Sequence, residues 1–191
     1  MKRLALLCGA MLLFAGIASA QSDTPKAEVF GGYSYLRVNP GSGAPGINAN
    51  GGSDSFSYNP NAWLGIVGDF GGYHASPFGV SANVISYLFG PKVAFRRGSV
   101  TPFVQALFGG ARISANGGGC AGTLSKVRPQ GIIGCGSGST NAFATALGGG
   151  VDWNATPHVG IRLVQAEYVM TRFFSATQNN VRVSTGVVFR W

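Results

Sequence analysis

The chain has 191 residues, of which 46% are hydrophobic, 10% are charged and 31 are glycine. That length suits one domain, and so few charges do not suit an ordinary water-soluble surface. The formal net charge is +8, but the basic residues are scattered and no patch joins them to stacking aromatics, which argues against nucleic acid as a partner.

The first element in the chain is an export leader. Lys2 and Arg3 supply a basic start, Leu4 through Ile17 an apolar run, and Ala18-Ser19-Ala20 a small-residue cleavage site. Residues 1–20 are therefore expected to be a signal peptide, with one mature domain over 21–191. A membrane anchor is the weaker alternative, because the apolar run is short and polar sequence follows at once. No later segment offers an unbroken apolar run of membrane-helix length.

Eight strand-like runs follow, separated by Gly, Pro and Asn. The first spans about Ala27 to Arg37, with Val29, Gly31, Tyr33 and Tyr35 on one parity, and a loop is expected from Val38 to Gly51. The second is short, Gly52 to Tyr58, and turns at Asn59-Pro60-Asn61 into the third, Trp63 to Tyr73. The fourth, Val80 to Phe95, turns at Arg96-Arg97-Gly98-Ser99 into the fifth, Val100 to Ser114. A long loop, Ala115 to Ser139, precedes the sixth, Thr140 to Trp153. Asn154-Ala155-Thr156-Pro157 leads to the seventh, His158 to Thr171, and a short loop leads to the eighth, Asn179 to Trp191.

An even number of strands whose tight turns alternate with longer connections predicts an all-β fold: an eight-stranded, antiparallel, up-and-down transmembrane β-barrel. The tight turns and both termini are then periplasmic, and the longer loops extracellular. The pairs Gly31-Gly32, Gly71-Gly72 and Gly109-Gly110 and the triplet Gly148-Gly149-Gly150 argue against helices. In a small barrel they let a curved sheet bend and leave room inside.

Parity separates a lipid face from a lumen. In the eighth strand Val181, Val183, Val187, Phe189 and Trp191 oppose Arg182, Ser184, Gly186 and Arg190. In the sixth, Ala142, Ala144, Ala146, Gly148, Gly150 and Asp152 oppose Phe143, Leu147, Val151 and Trp153. In the third and fourth, Gly65, Val67 and Asp69, then Ser86, Gly90 and Lys92, oppose large apolar neighbours. The small and charged sets are assigned to the lumen. A water-soluble lipocalin-like barrel would need the opposite arrangement, an apolar cavity and polar outer faces.

The seventh strand breaks this parity. Arg162 lies on one face and Gln165 and Glu167 on the other, and a charge facing mid-membrane lipid costs a few kcal/mol. A bulge near Val164 would turn Gln165 and Glu167 inward. Placement of Glu167 above the lipid zone is the rival explanation. The expected luminal charge network is Asp69, Lys92, Asp152, Arg162, Glu167 and Arg182. Unpaired buried charges are costly, so Asp152 is expected to pair with Arg162, and Asp69 with Lys92 or Arg182. Arg96 and Arg190 are expected at the rims, in water. Tyr33, Tyr35, Trp63, Tyr73, Phe95, Trp153, Tyr168, Phe189 and Trp191 fall mostly near strand ends, as interfacial girdles would.

Cys120 and Cys135 remain after export, and such a pair is expected to form a disulfide. It would close a loop worth roughly 3 kcal/mol by chain entropy. No ligand cluster supports a metal, and nothing points to a cofactor. The mature chain has two histidines, His74 and His158, and neither sits in a convincing nucleophile–base set. His74 with Ser76 and Asp69 is the nearest approach to a triad. No catalytic residue is assigned and no enzyme activity is expected.

The chain resembles the small outer-membrane β-barrel domains of the OmpA-like superfamily over nearly the whole mature length. The resemblance rests on Val29-Phe30-Gly31-Gly32-Tyr33-Ser34-Tyr35, Trp63-Leu64-Gly65-Ile66-Val67-Gly68-Asp69-Phe70, Tyr87-Leu88-Phe89-Gly90-Pro91-Lys92, Thr101-Pro102-Phe103, Gly148-Gly149-Gly150-Val151-Asp152 and the terminal Phe189-Arg190-Trp191. It implies that Phe189 and Trp191 serve as the signal read by the barrel-assembly machinery. Phenylalanine is the usual last residue, so Trp191 is a departure. It also implies an interior plugged by the luminal charges, in a protein of the bacterial outer membrane whose partners are outer-membrane lipid and, during biogenesis, that machinery. The expected function is structural or surface-exposed and non-enzymatic. A narrow pore for ions or small solutes, or adhesion and ligand binding by the loops, is the alternative.

Overall fold

The computed structural model describes residues 24–39, 46–76, 81–96, 98–116, 137–173 and 176–191. Its strands are β1 (Ala27–Val38), β2 (Ile47–Tyr58), β3 (Leu64–Ala75), β4 (Ser81–Ala94), β5 (Val100–Asn116), β6 (Ser137–Asn154), β7 (Val159–Phe173) and β8 (Ala176–Arg190). Each pairs with its sequence neighbours and β1 closes on β8, giving a closed antiparallel barrel in chain order. Closure leaves no free edge, so every strand has a partner on both sides. A lipid solvent requires this.

The largest difference from the sequence expectation is β2, which starts at Ile47 rather than Gly52. Asn48, Ala49 and Asn50 pair with Arg37, Leu36 and Tyr35. Their Asn and Gly content reads as a turn, but Ala49 is fully buried and Arg37 donates a hydrogen bond to the Asn48 side chain across the pair. β6 and β8 likewise begin three residues earlier than their patterns indicated, at Ser137 and Ala176. Apart from Ile47, the extra residues are small or polar, and cross-strand pairing carries them where hydrophobicity does not.

The outer wall is apolar over most strands, although β2 turns Asn48, Asn50 and Asp54 outward. Ile66, Phe70, Phe89, Val104, Phe108, Phe143, Leu147, Leu163 and Phe189 are all exposed, Leu147 at 65%. The buried set is mixed: Phe30, Val67, Leu88, Leu107 and Val188 lie inside with Asp69, Lys92, Asp152, Arg162, Glu167, Arg182 and Arg190. Trp63 and Trp153 face outward near the short-turn end, whereas Tyr73, expected in a girdle, is 4% exposed and faces the lumen. Tyr73 shares the inward parity of Asp69 and Gly71 on β3, and a count of aromatics near strand ends overlooked this.

β7 carries a bulge. Val151 pairs with Val164 and Asp152 with Arg162, so Leu163 has no partner on β6, and the register on β8 shifts between Arg162 and Gln165. Leu163 and Val164 both face outward, and the inward set resumes at Gln165. The Thr185 hydroxyl donates to the Arg162 carbonyl at 2.8 Å beside the bulge.

Candidate functional site: a charged, closed interior

The short-turn half of the lumen is filled by ion pairs. Glu28 on β1 receives Lys92 from β4, which also donates to the Ser57 hydroxyl at 2.8 Å. Glu28 is further approached by Arg96 at 3.1 Å and Arg190 at 3.5 Å. One carboxylate therefore gathers three cations from β4 and β8 and the β4–β5 turn. Arg190 goes on to Asp152 at 3.0 Å and to the Asn154 side chain. Asp152 takes Arg162 through two hydrogen bonds, at 2.8 and 3.2 Å, in a side-on bidentate pair.

Arg162 also lies between two rings, 4.2 Å from the Phe30 centroid and 4.5 Å from that of Phe103. A desolvated guanidinium gains from such faces. Glycines make room for the rings. A Cβ on Gly32 would lie 2.1 Å from the Thr185 carbonyl oxygen and 2.9 Å from Phe30, and one on Gly150 would lie 2.9 Å from Phe103.

A polar chain then climbs the lumen. Arg162 donates to the Gln165 side-chain oxygen at 2.6 Å, and the Gln165 amide donates to Glu167 at 2.8 Å. Gln105 on β5, on the other side of Gly148 of β6, donates to Glu167 at 2.9 Å. Glu167 receives Arg182 at 2.6 Å, and Arg182 reaches Asp69 at 2.6 Å and the Tyr73 hydroxyl at 3.3 Å. Ser34 and Ser184 bond each other at 2.7 Å beside this group. Above it, toward the loop end, the interior turns apolar: Leu88, Leu107, Ala111, Ala144 and Val169 in one cluster, Leu36, Ala49, Tyr73 and Ala75 in a second.

The structure brings Asp152 to Arg162 and Asp69 to Arg182, and gives Lys92 to Glu28 instead of Asp69. Arg190 is not a rim group in water. It is 5% exposed and bound to two carboxylates, and Arg96 is largely covered as well. Both corrections have one cause, the omission of Glu28. Its parity, opposite to Val29 and Tyr33 and shared with Phe30 and Ser34, was the available signal. Gln105 faces inward, and Arg112, on the opposite parity of β5, faces outward near the loop end and bonds Ser139 at 3.1 Å.

His74 faces outward and bonds Asn83 at 2.8 Å and Ser76 at 3.0 Å. Asp69 points into the lumen on the opposite parity, so the three do not form a triad. Among the described residues no group of three or more His, Cys, Asp and Glu could hold a metal. Phe189 faces outward, and Trp191 is tied by backbone hydrogen bonds in both directions to Ala27. Cys120 and Cys135 lie outside the described residues, as does the leader.

No protein-family model matches the chain. No curated protein matches it either. Solved structures do. Neisserial surface protein A aligns with a TM-score of 0.67 at 15% identity, over 91% of this chain and all of that one. Ail, the attachment invasion locus protein of Yersinia pestis, aligns with a TM-score of 0.57 at 17% identity, over 87% of this chain and 99% of that one. Ail in complex with the heparin analogue sucrose octasulfate aligns equally well, at 18% identity. These likenesses concern the fold. Together with the apolar wall and charged lumen, they make this chain a small eight-stranded outer-membrane β-barrel with a salt-bridged polar interior.

Proposed function

We propose that the protein is a non-enzymatic, structural or surface-exposed barrel of the outer membrane whose charged interior acts as a plug. The observation that supports this best is the chain of ion pairs and hydrogen bonds from Arg96 through Glu28, Arg190, Asp152, Arg162, Gln165, Glu167 and Arg182 to Asp69. An eight-stranded barrel has an interior just wide enough for side chains, and here large cations and both signs of charge fill it. Asp69, Lys92, Asp152, Arg162, Glu167 and Arg182 are the residues we assign to that plug, with Glu28, Arg96 and Arg190 added.

Planar-bilayer recording tests the reading. A plugged barrel gives no stable single-channel steps. Stable steps in the wild type that are lost on changing Arg162 or Arg182 would instead favour a narrow pore.

We further place the chain among OmpA-like barrels on its motifs, with termini periplasmic and loops outside. We assign Phe189 and Trp191 as the signal for assembly and Cys120–Cys135 as a disulfide in the long surface loop. Deletion of Trp191 should slow assembly in cells. Reduction should change the mobility of the unheated protein on gels. The likeness to an attachment protein, crystallised also with a heparin analogue, supplies a second reading, attachment through loops or capture of a sulfated glycan. Among the described residues, Arg37, Arg112 and Arg172 are outward cations near the loop end that would serve it.

A further inference from the structure

The short-turn end of the lumen opens into a vestibule of about 660 Å³. Ser99, Thr156 and His158, all exposed, line it on the side of the turns, and Arg96 and Arg190 line it on the side of the lumen. Both arginines keep N–H donors unused. Arg96 donates to the Ala62 carbonyl and to Glu28, and Arg190 donates to Asn154 and Asp152 and approaches Glu28, whereas a guanidinium has five N–H groups to give. Glycine makes room for one of the two: a Cβ on Gly160 would lie 2.5 Å from Arg190 Nη1.

The charges at the floor of the vestibule do not balance. Lys92, Arg96, Arg162 and Arg190 meet only Glu28 and Asp152, so four cations face two carboxylates and two positive charges are left over. Arginine does not deprotonate in proteins, so even a neutral Lys92 leaves one. The opposite surplus, one negative charge shared by Asp69 and Glu167 around Arg182, lies higher in the lumen, beyond Arg162 and the neutral Gln165. The carboxylate of Trp191, which borders the vestibule, offsets at most one of the two. Buried charge in excess is costly, and Arg190 is 5% exposed. A cavity that is open to water on one side and cationic on the other admits the missing counter-charge. A cation is repelled there, and a neutral solute leaves the surplus in place. Two spare charges match a dianion, and the volume is that of a small organic ligand's cleft, about 300–1,000 Å³, rather than of a bare halide.

We infer that the vestibule is a binding site for a small organic dianion, a phosphate monoester or a dicarboxylate, taken up from the periplasmic side. The doubly charged oxyanion chemistry is common to both. One oxyanion group seats on the Arg96 and Arg190 guanidiniums, whose forked donors match it, and the rest of the molecule meets the hydroxyls of Ser99 and Thr156 and the ring of His158. The inference goes beyond the plug reading. It needs neither a conducting lumen nor the loops.

The probes are glycerol phosphate and succinate, titrated separately into the barrel in nanodiscs of zwitterionic phospholipid and followed by calorimetry and by NMR of the Arg96 and Arg190 side chains. The expected result is saturable binding of at least one probe, about tenfold or more tighter than acetate or chloride, as one added charge-assisted contact gives, with both arginine signals shifted. The tighter probe identifies the head as phosphate or carboxylate. Arg96→Met removes a surplus cation and leaves Glu28 with Lys92 and Arg190, so it spares the fold and should weaken binding about tenfold. Ser99→Glu, at an exposed turn position, puts a carboxylate in the mouth and should weaken it similarly. Arg112→Met, which removes an outward cation at the loop end, should leave it unchanged. The heat-modifiable band on gels checks that each variant is folded. The inference is overturned if neither probe saturates, if acetate or chloride binds as tightly, if binding persists unchanged in Arg96→Met and Ser99→Glu, or if folded Arg112→Met loses it.

Discussion

Arg182→Met removes one cation and strands two carboxylates. In the wild type Arg182 binds Glu167 and Asp69, both at 2.6 Å, and all three residues are at most 2% exposed. Breaking a buried pair by deleting one partner typically costs about 3–5 kcal/mol. Here two acids lose their partner, so the upper part of that range is expected. Gln105 and Gln165 still donate to Glu167, so the larger share of the loss falls on Asp69. The assay is reversible urea unfolding in phospholipid vesicles, scored by the heat-modifiable band on gels. The companion variant Arg182→Met/Asp69→Asn/Glu167→Gln replaces the ions by neutral groups of similar shape. It should recover most of the loss, because a buried ion network contributes little net stability over a well-packed neutral one. The reasoning is refuted if Arg182→Met costs under about 1 kcal/mol, or if the triple variant is no more stable than the single one.

Glu28→Gln leaves Lys92, Arg96 and Arg190 facing one another without their common anion. It should cost about 3 kcal/mol in the same assay, and in planar bilayers it should raise the leak current more than Asp54→Asn, a change on the outer face. Gly32→Ala places a methyl 2.1 Å from the Thr185 carbonyl oxygen at the β1–β8 seam. It should block closure, seen as loss of the heat-modifiable form, whereas Gly72→Ala, where a Cβ meets nothing within 4 Å, should fold normally. Leu147→Arg puts a charge on the lipid face and should destabilise the barrel by about 2–4 kcal/mol if that position lies near the midplane.

Most of the architecture was legible because lipid inverts the usual polarity rule and the inversion repeats every second residue. β6 shows this most clearly: Ala144, Ala146 and Asp152 alternate with Phe143, Leu147 and Trp153 over a run long enough that no other face assignment fits. The bulge was legible for a related reason. Gln165 and Glu167 against Arg162 is a contradiction in parity, and one extra residue resolves it.

The ends of strands were less legible. Asn48, Asn50 and Ser137 have the composition of turns, and only cross-strand pairing draws them into the sheet. Partner choice was least legible of all. Lys92 shares the inward face with Asp69, but which acid it meets depends on barrel shear, the stagger accumulated around the closed sheet. That stagger takes Lys92 on β4 to Glu28 on β1, three strands away, and Asp69 to Arg182 on β8. That Ser86 Oγ and Arg182 Nη2 end without a partner in the lumen follows from the same stagger and had no trace in the sequence.

The central claim, an apolar wall facing hydrocarbon around an interior of ions, is most directly tested by lipid contact. Single tryptophans at Phe143, Leu147 and Phe189, in a background where Trp63, Trp153 and Trp191 are phenylalanine, would be measured in vesicles of acyl-chain-brominated phospholipid. The account predicts strong quenching at all three positions and no folded, monodisperse protein in plain buffer. Absence of quenching at these positions, together with a folded barrel in buffer free of lipid and detergent, would contradict it.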